Sequence, residues 1–244
     1  MKAFRVVGAP AIVGVLLTAG CGGDGQKAAW QLAQDSAAAA AWNAAEAGIL
    51  VRGIALQWAG GWMLERCGSV ANRLVDSTAR QFTELAQPLL AKRGDSLFAE
   101  LLVTDSSRAS LAVRGIRRLT RPNVGGGCTE PRPSFLWRVN GGPPPWIVMV
   151  DSAHIVLTDR DNPTGLPFAE VPPYWAGTSR VYQGFNRGAG ERLIEVRISH
   201  AACRDSTTRA YTGYTAEVRR KSGTVLACAV AGMAEPASMK SLTR

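Results

Sequence analysis

The sequence predicts a mainly β protein built as a small barrel with one helix followed by a small antiparallel β domain. Three observations lead there. Short apolar runs rich in Val, Ile, Leu and Trp recur along the chain and are separated by turns bearing Gly, Pro, Asp or Ser. Helical character is confined to an alanine-rich segment and one short amphipathic stretch. Four cysteines, Cys67, Cys128, Cys203 and Cys228, bracket two sets of strand-like runs.

The N-terminus comes first. Lys2 and Arg5 make a basic start, residues 6–17 are apolar apart from small residues and Pro10, and Leu17-Thr18-Ala19-Gly20-Cys21 follows. The run is too short to span a bilayer as a stable helix, but it has the build of a signal peptide. Ala19 and Gly20 let a peptidase reach the backbone, and Cys21 offers a thiol. The motif resembles the lipobox of bacterial lipoproteins. That resemblance implies a signal peptide over residues 1–20, diacylglycerol and further acyl chains on Cys21, and attachment to the cell envelope at the outer membrane, facing the periplasm. Several chains on one cysteine hold firmly where one would bind only marginally.

Residues 21–47 then read as a tether. Gly22 to Gly25 form a spacer, and residues 28–47 are alanine-rich, with Trp30, Leu32, Asp35, Trp42 and Glu46 set among the alanines. Alanine has the highest helix propensity and Gly48 offers a stop, so an exposed or loosely docked helix is one reading and a disordered tether the other. Both give the segment reach away from the membrane and no chemistry.

The first folded block spans 48–129. Strands are expected at 49–58, 62–67, 70–75, 96–104 and 109–120, with a turn at Gly60-Gly61. Between the third and fourth, Asp76 or Ser77 can cap a helix whose Phe82, Leu85, Ala86, Leu89 and Leu90 fall at helical spacing until Pro88 ends or kinks it. Strands with one intervening helix and a closing half-barrel are the layout of an OB-fold.

The second block spans 133–232, with a tail at 233–244. Strands are expected at 135–139, 146–150, 154–158, 192–199, 211–219 and 224–229, with Asp151-Ser152-Ala153 as a tight turn. No long helical period separates them, so antiparallel pairing is the economical reading. Trp146, Val148 and Val150 alternate onto one face, which places Trp146 in the core.

With Cys21 reserved for lipid, four cysteines remain in a compartment where disulfides persist. Three pairings are possible, and spacing favours Cys67 with Cys128 and Cys203 with Cys228, because each pair brackets one block. Closing each loop stabilises its block by roughly 3 to 4 kcal/mol in the chain-entropy model. A metal site is not expected: no CxxC occurs, and His154 and His200 are isolated. No cofactor is implied.

Two resemblances overlay these blocks. Arg52-Gly53-Ile54, Leu64-Glu65-Arg66-Cys67-Gly68, the helix with Phe82 and Leu85, Phe98-Ala99-Glu100-Leu101 and Cys128 resemble the C-terminal OB domain of NlpE-type envelope lipoproteins. Copper handling in that family is associated with a CxxC in its other domain, which has no counterpart here, so copper is not carried over. In the second block, residues 145–151, Asn162-Pro163-Thr164-Gly165, Cys203-Arg204-Asp205-Ser206, Tyr214-Thr215-Ala216-Glu217-Val218 and Leu226-Ala227-Cys228-Ala229 resemble an uncharacterised family of membrane or lipoprotein domains grouped near META/HslJ-like modules. This second resemblance implies architecture and location more than a reaction.

Function divides into two classes. The first is a noncatalytic binding or sensing module for an envelope protein or ligand. The chain's formal charge of +9 falls to +7 once Lys2 and Arg5 leave, favouring anionic headgroups, acidic glycans or an acidic partner over any specific nucleic acid, unless the basic face is merely solvated. Tyr174 and Trp175, following Pro172-Pro173 in an expected loop, and Arg180 nearby are the candidate contact residues. The second class is an envelope hydrolase using Asp205, Ser206 and His200 as base and nucleophile. Against it, Asp205 and Ser206 read first as turn residues whose side-chain oxygens hold backbone N–H groups after Cys203. Gly125-Gly126-Gly127 and Gly188-Ala189-Gly190 read as loops rather than phosphate cradles.

Overall fold

The computed structural model describes residues 23–232 except 59–60, 69–70, 76–78, 93, 105–109, 123–126, 130–134 and 189–192. The signal-peptide and lipidation readings, Cys21 included, and the tail at 233–244 lie outside the described residues.

An alanine-rich helix, α1 (Gly23–Glu46), leads into the first block: β1 (Ile49–Trp58), β2 (Gly61–Arg66), β3 (Ala71–Val75), α2 (Ala79–Ala86), β4 (Ser96–Val103) and β5 (Ser110–Thr120). Pro88 acts as expected. α2 stops at Ala86 and a 3-10 turn over Gln87–Leu89 carries the proline in its first turn, where a missing N–H costs nothing. β1 pairs with β2 and β4, β2 with β3, β3 runs parallel to β5, and β5 closes on β4. Five strands therefore close into a barrel in OB order, with α2 entering between β3 and β4 as the fold requires. Phe82, Ala86 and Leu89 are buried against Leu64, Leu97, Leu101 and Leu119, and the Trp62 ring meets Phe82 edge-on at 4.9 Å. Inside the strands Arg52 pairs with Glu100 at 3.1 Å, so each of these two largely buried charges is compensated by the other.

The second block contains β6 (Trp137–Gly141), β7 (Trp146–Val150), β8 (His154–Thr158), β9 (Leu166–Ala176), β10 (Ser179–Phe185), β11 (Leu193–Arg204), β12 (Tyr211–Arg220) and β13 (Gly223–Ala231). Each pairs antiparallel with the next, and β13 returns to β6. The result is a closed eight-stranded meander barrel filled by Val139, Trp146, Val148, Ile155, Phe168, Tyr182, Ile194, Val196 and Val218, among others. Period-two alternation puts Trp146, Val148 and Val150 inward, as the pattern implied.

Both disulfides form within their own block: Cys67 to Cys128 with Cα atoms 5.0 Å apart, and Cys203 to Cys228 at 5.4 Å. The blocks are nonetheless stitched together. The β11–β12 hairpin runs past its own barrel, so that Tyr211 and Thr212 pair with Leu119 and Arg118 of β5. Tyr211 is buried in the first core, whereas Tyr214, three residues on, is buried in the second. Gly213 sits between them because a Cβ there would meet the Ile116 carbonyl at 2.9 Å. At the hairpin's far end, Arg204 Nη2 donates to the Leu85 carbonyl at 3.1 Å.

Two expectations need correction. The stretch from Gly23 to Gly25 is helical rather than a spacer; of the two readings of the alanine-rich run, the docked helix is the one found, with Ala38 buried and Trp42 in the core of the second barrel. Tyr174 and Trp175 are in β9, not in a loop. The prolines before them are tolerated because the β9–β10 register shifts between Val181 and Gln183, a bulge that leaves Pro172 and Pro173 outside the regular ladder.

Among the described residues, no helix is long and apolar enough to cross a membrane.

Candidate functional site at the mouth of the eight-stranded barrel

Helical spacing places Ala38, Trp42 and Glu46 on one stripe of α1, one turn apart. Ala38 is small enough to let the helix approach the barrel. Trp42 then enters the barrel mouth, 93 % buried by exposure of 7 %, with its ring 4.0 Å from the His200 ring, 5.6 Å from Trp175, 6.0 Å from Trp137 and 6.4 Å from Tyr214. Edge-on and tilted contacts of this kind add to the burial of the indole. The lining aromatics also carry polar tips that find partners. Trp137 Nε1 donates to the Tyr182 hydroxyl at 2.8 Å, and the Arg180 guanidinium lies over the Trp175 and Tyr182 rings at 6.0 and 5.5 Å.

Glu46, one turn after Trp42, is the centre of a polar node. Its Oε2 is 2.9 Å from Arg117 Nη2 on β5, its Oε1 accepts from the Tyr214 hydroxyl on β12, and His200 Nε2 on β11 is 3.4 Å away. Arg117 Nε in turn donates to the Tyr214 oxygen at 2.6 Å. One carboxylate thereby joins the helix to both barrels, with side chains only about a fifth exposed on each side of the Glu46–Arg117 pair. Burial pushes the His200 pKa down, Glu46 opposes that shift, and Arg117 reinforces it. The Tyr214 hydroxyl is pushed well above its ordinary range, first by burial, with Glu46 adding to it against Arg117. The node therefore carries a neutral phenol between a carboxylate and a guanidinium.

On the same rim, Glu170 of β9 is raised to about 7 by partial burial and by Asp151, against the pull of Arg180. Asp151 itself closes the β7–β8 turn, accepting from the N–H groups of Ala153 and His154 at 2.7 Å each.

The contact residues expected from sequence are thus dispersed in role. Tyr174 is 41 % exposed and its hydroxyl accepts from Gln183 Nε2 at 3.1 Å on the barrel's outer face. Trp175 and Arg180 face the mouth instead. The hydrolase candidates are not assembled. Asp205 Oδ1 accepts from the Thr207 and Thr208 N–H groups and the Thr208 hydroxyl, the turn-holding role. His200 is engaged by Trp42 and Glu46, and among the described residues it makes no hydrogen bond to Asp205 or Ser206. Ser206 instead edges an outer groove of about 490 Å³ shared with Pro143, Arg204, Leu226 and the Cys203–Cys228 bridge. Also among the described residues, no three His, Cys, Asp or Glu side chains gather to hold a metal ion.

Trp42, Glu46 and Arg117 escaped sequence reading. The available signal was the four-residue spacing of Ala38, Trp42 and Glu46 in an otherwise uniform alanine helix; nothing in sequence ties Arg117 to them.

No family model, curated protein or solved structure matches this chain.

Proposed function

We propose that this chain is a lipid-anchored lipoprotein of the bacterial cell envelope, held by acyl chains on Cys21 at the outer membrane facing the periplasm, and that its two barrels form a noncatalytic binding or sensing module. The observation that carries the reading is α1. It starts two residues after the lipobox-like cysteine and its last turns enter the node between both barrels, so whatever holds Cys21 is mechanically connected to the barrel mouth. The resemblances to NlpE-type OB domains and META/HslJ-like modules belong to the same proposal and point to the same compartment. A binding role is favoured over hydrolysis because Asp205 is committed to its turn and His200 to Glu46 and Trp42.

The test is fractionation. Replacing Cys21→Ser should move the protein from the membrane to the soluble fraction, and intact-mass analysis of the parent should find an acylated N-terminus at Cys21. Tight membrane retention of the variant would overturn the anchor. Cross-linking in intact envelopes should then capture an acidic partner or ligand. Oligonucleotide binding, which an OB barrel and positive charge would suggest, should be weak and collapse with salt, as nonspecific charge pairing does.

A further inference from the structure

We infer that the mouth of the eight-stranded barrel is a binding site for a small aromatic carboxylic acid, and that α1 occupies it as an internal stand-in for that ligand. The inference deepens the binding reading above by naming the site and the ligand class.

The occupant is itself the template. α1 brings two functional groups into the mouth, the Trp42 indole and the Glu46 carboxylate, and both meet at His200: the ring lies 4.0 Å from the imidazole and the carboxylate 3.4 Å from Nε2. Ring and acid are therefore held against one and the same imidazole, so a ligand carrying an aryl group and a carboxylate on a short chain can meet both sets of walls. The walls match each part. Trp137, Trp175 and Tyr214 surround the ring, while Arg117 and the Tyr214 hydroxyl hold the acid.

The helix is also built to leave. Of its described side chains only Ala38 and Trp42 are buried; Trp30 and Leu32 stand 66 % and 67 % exposed. Its connection to β1 is short, Ala47 and Gly48, and the φ of +149° at Gly48 is a conformation that favours glycine. With α1 withdrawn, Arg117 loses Glu46 and becomes the cation offered to a ligand at an aromatic mouth, while Arg180 is already opposed by Glu170 on the rim. Charge complementarity then selects an acid over a neutral or cationic ring.

An internal competitor lowers apparent affinity by the fraction of molecules whose mouth is open. The experiment follows from that, using the full chain with Cys21→Ser and the probes indole-3-propionate, indole and tryptamine. Calorimetry should show saturable binding of the acid, at least tenfold weaker binding of indole and none of tryptamine. Hydrogen exchange over residues 38–46 should accelerate when the acid binds, because the helix is displaced. Trp42→Ala, which removes the competitor's ring, should bind the acid at least tenfold more tightly than the parent. Glu46→Gln, which keeps the ring and the packing, should give a smaller gain of the same sign. Arg117→Met should lose the preference for the acid over indole. Absence of binding up to ~1 mM in the parent, in Trp42→Ala and in Glu46→Gln alike would overturn the inference. So would binding that leaves helix exchange unchanged and is equally tight in parent and Trp42→Ala, which would put the probe elsewhere. Neither result touches the anchor: the inference can fail while Cys21 lipidation and envelope cross-linking stand, and it can hold while fractionation removes the envelope reading.

Discussion

The two barrels solve the same problem, an open end that must be covered, with helices of different origin. In the five-stranded barrel the cover is α2, inserted between β3 and β4, with Phe82, Ala86 and Leu89 filling an apolar end. In the eight-stranded barrel it is α1, which precedes both barrels and contributes little more than one indole to a rim of polar-tipped aromatics. A cover threaded between two strands cannot leave without opening the ladder on both sides. A cover that precedes the strands can. The difference teaches where to look for a moving part: local stability is lowest where a helix has few buried side chains.

Removing the covalent ties should have the largest effects, and it treats the barrels almost alike. The Cys67–Cys128 bridge closes a separation of 61 residues and Cys203–Cys228 one of 25. In the chain-entropy model these are worth about 4 and about 3.5 kcal/mol respectively. Denaturant titration of Cys67→Ser/Cys128→Ser and Cys203→Ser/Cys228→Ser should show losses of that order and rank. A loss confined to one barrel in either variant would show that the β5–β12 seam does not couple them.

The covers themselves should then separate. Phe82→Ala should cost about 4 kcal/mol of global stability, the usual range for emptying an aromatic site in a core that cannot collapse. Trp42→Ala should cost about 2 kcal/mol or less, because α1 can undock and let the rim relax. Its signature should be loss of exchange protection over the last turns of α1 with the β-strand amides unchanged. Equal global losses would mean that α1 is as integral as α2. Next in size is the Glu46–Arg117 ion pair, which ties α1 to the five-stranded barrel while Tyr214 ties it to the other. A double-mutant cycle of Glu46→Gln and Arg117→Met should return a coupling of about 1 kcal/mol, modest because both side chains keep partial contact with water.

How far the sequence carried can be judged from the same two covers. β1, β7 and β8 fall at the expected residues, and the α2 cover with its proline stop was readable, because local apolar period and turn residues decide them. β9 and β10 were missed. Pro167, Pro172 and Pro173 break the period-two pattern of β9; Pro167 pairs with Val156 near the start of the strand, whereas Pro172 and Pro173 join the sheet only through a bulge opposite Tyr182. Closure of β13 onto β6 joins residues some ninety positions apart and has no local signature. α1 was legible as a possible helix but not as a cover, since a run of alanines names no face; the single deep contact of Trp42 is decided by the barrel it meets. Asp205 was legible as a turn former and His200 as a half-buried strand residue, but its partner Glu46 was not, because it lies far away in sequence.

The smallest effect concerns the mouth and not its cover. Glu170 is held at about 7 by partial burial and by Asp151, with Arg180 opposing, against an ordinary value of 4.5. Between these values the folded state binds more protons than the unfolded chain, so stability falls as pH rises through that window and the penalty is fully present above about 7. Glu170 keeps much of its contact with water, so the penalty is screened to about 1 kcal/mol, well below what the bare shift would convert to. Glu170→Gln should therefore raise stability at pH 8 and change it little at pH 4, and Asp151→Asn should recover part of the gain. His200 acts with the opposite sign. Its folded pKa is depressed by burial, so its contribution is present above 6.5 and is lost as pH falls through the lowered value. In Glu170→Gln the remaining slope just below pH 6.5 should be upward with pH, and His200→Gln in that background should flatten it. A slope in the double variant as steep as in Glu170→Gln alone would place the remaining titrating groups elsewhere than on the rim that α1 covers.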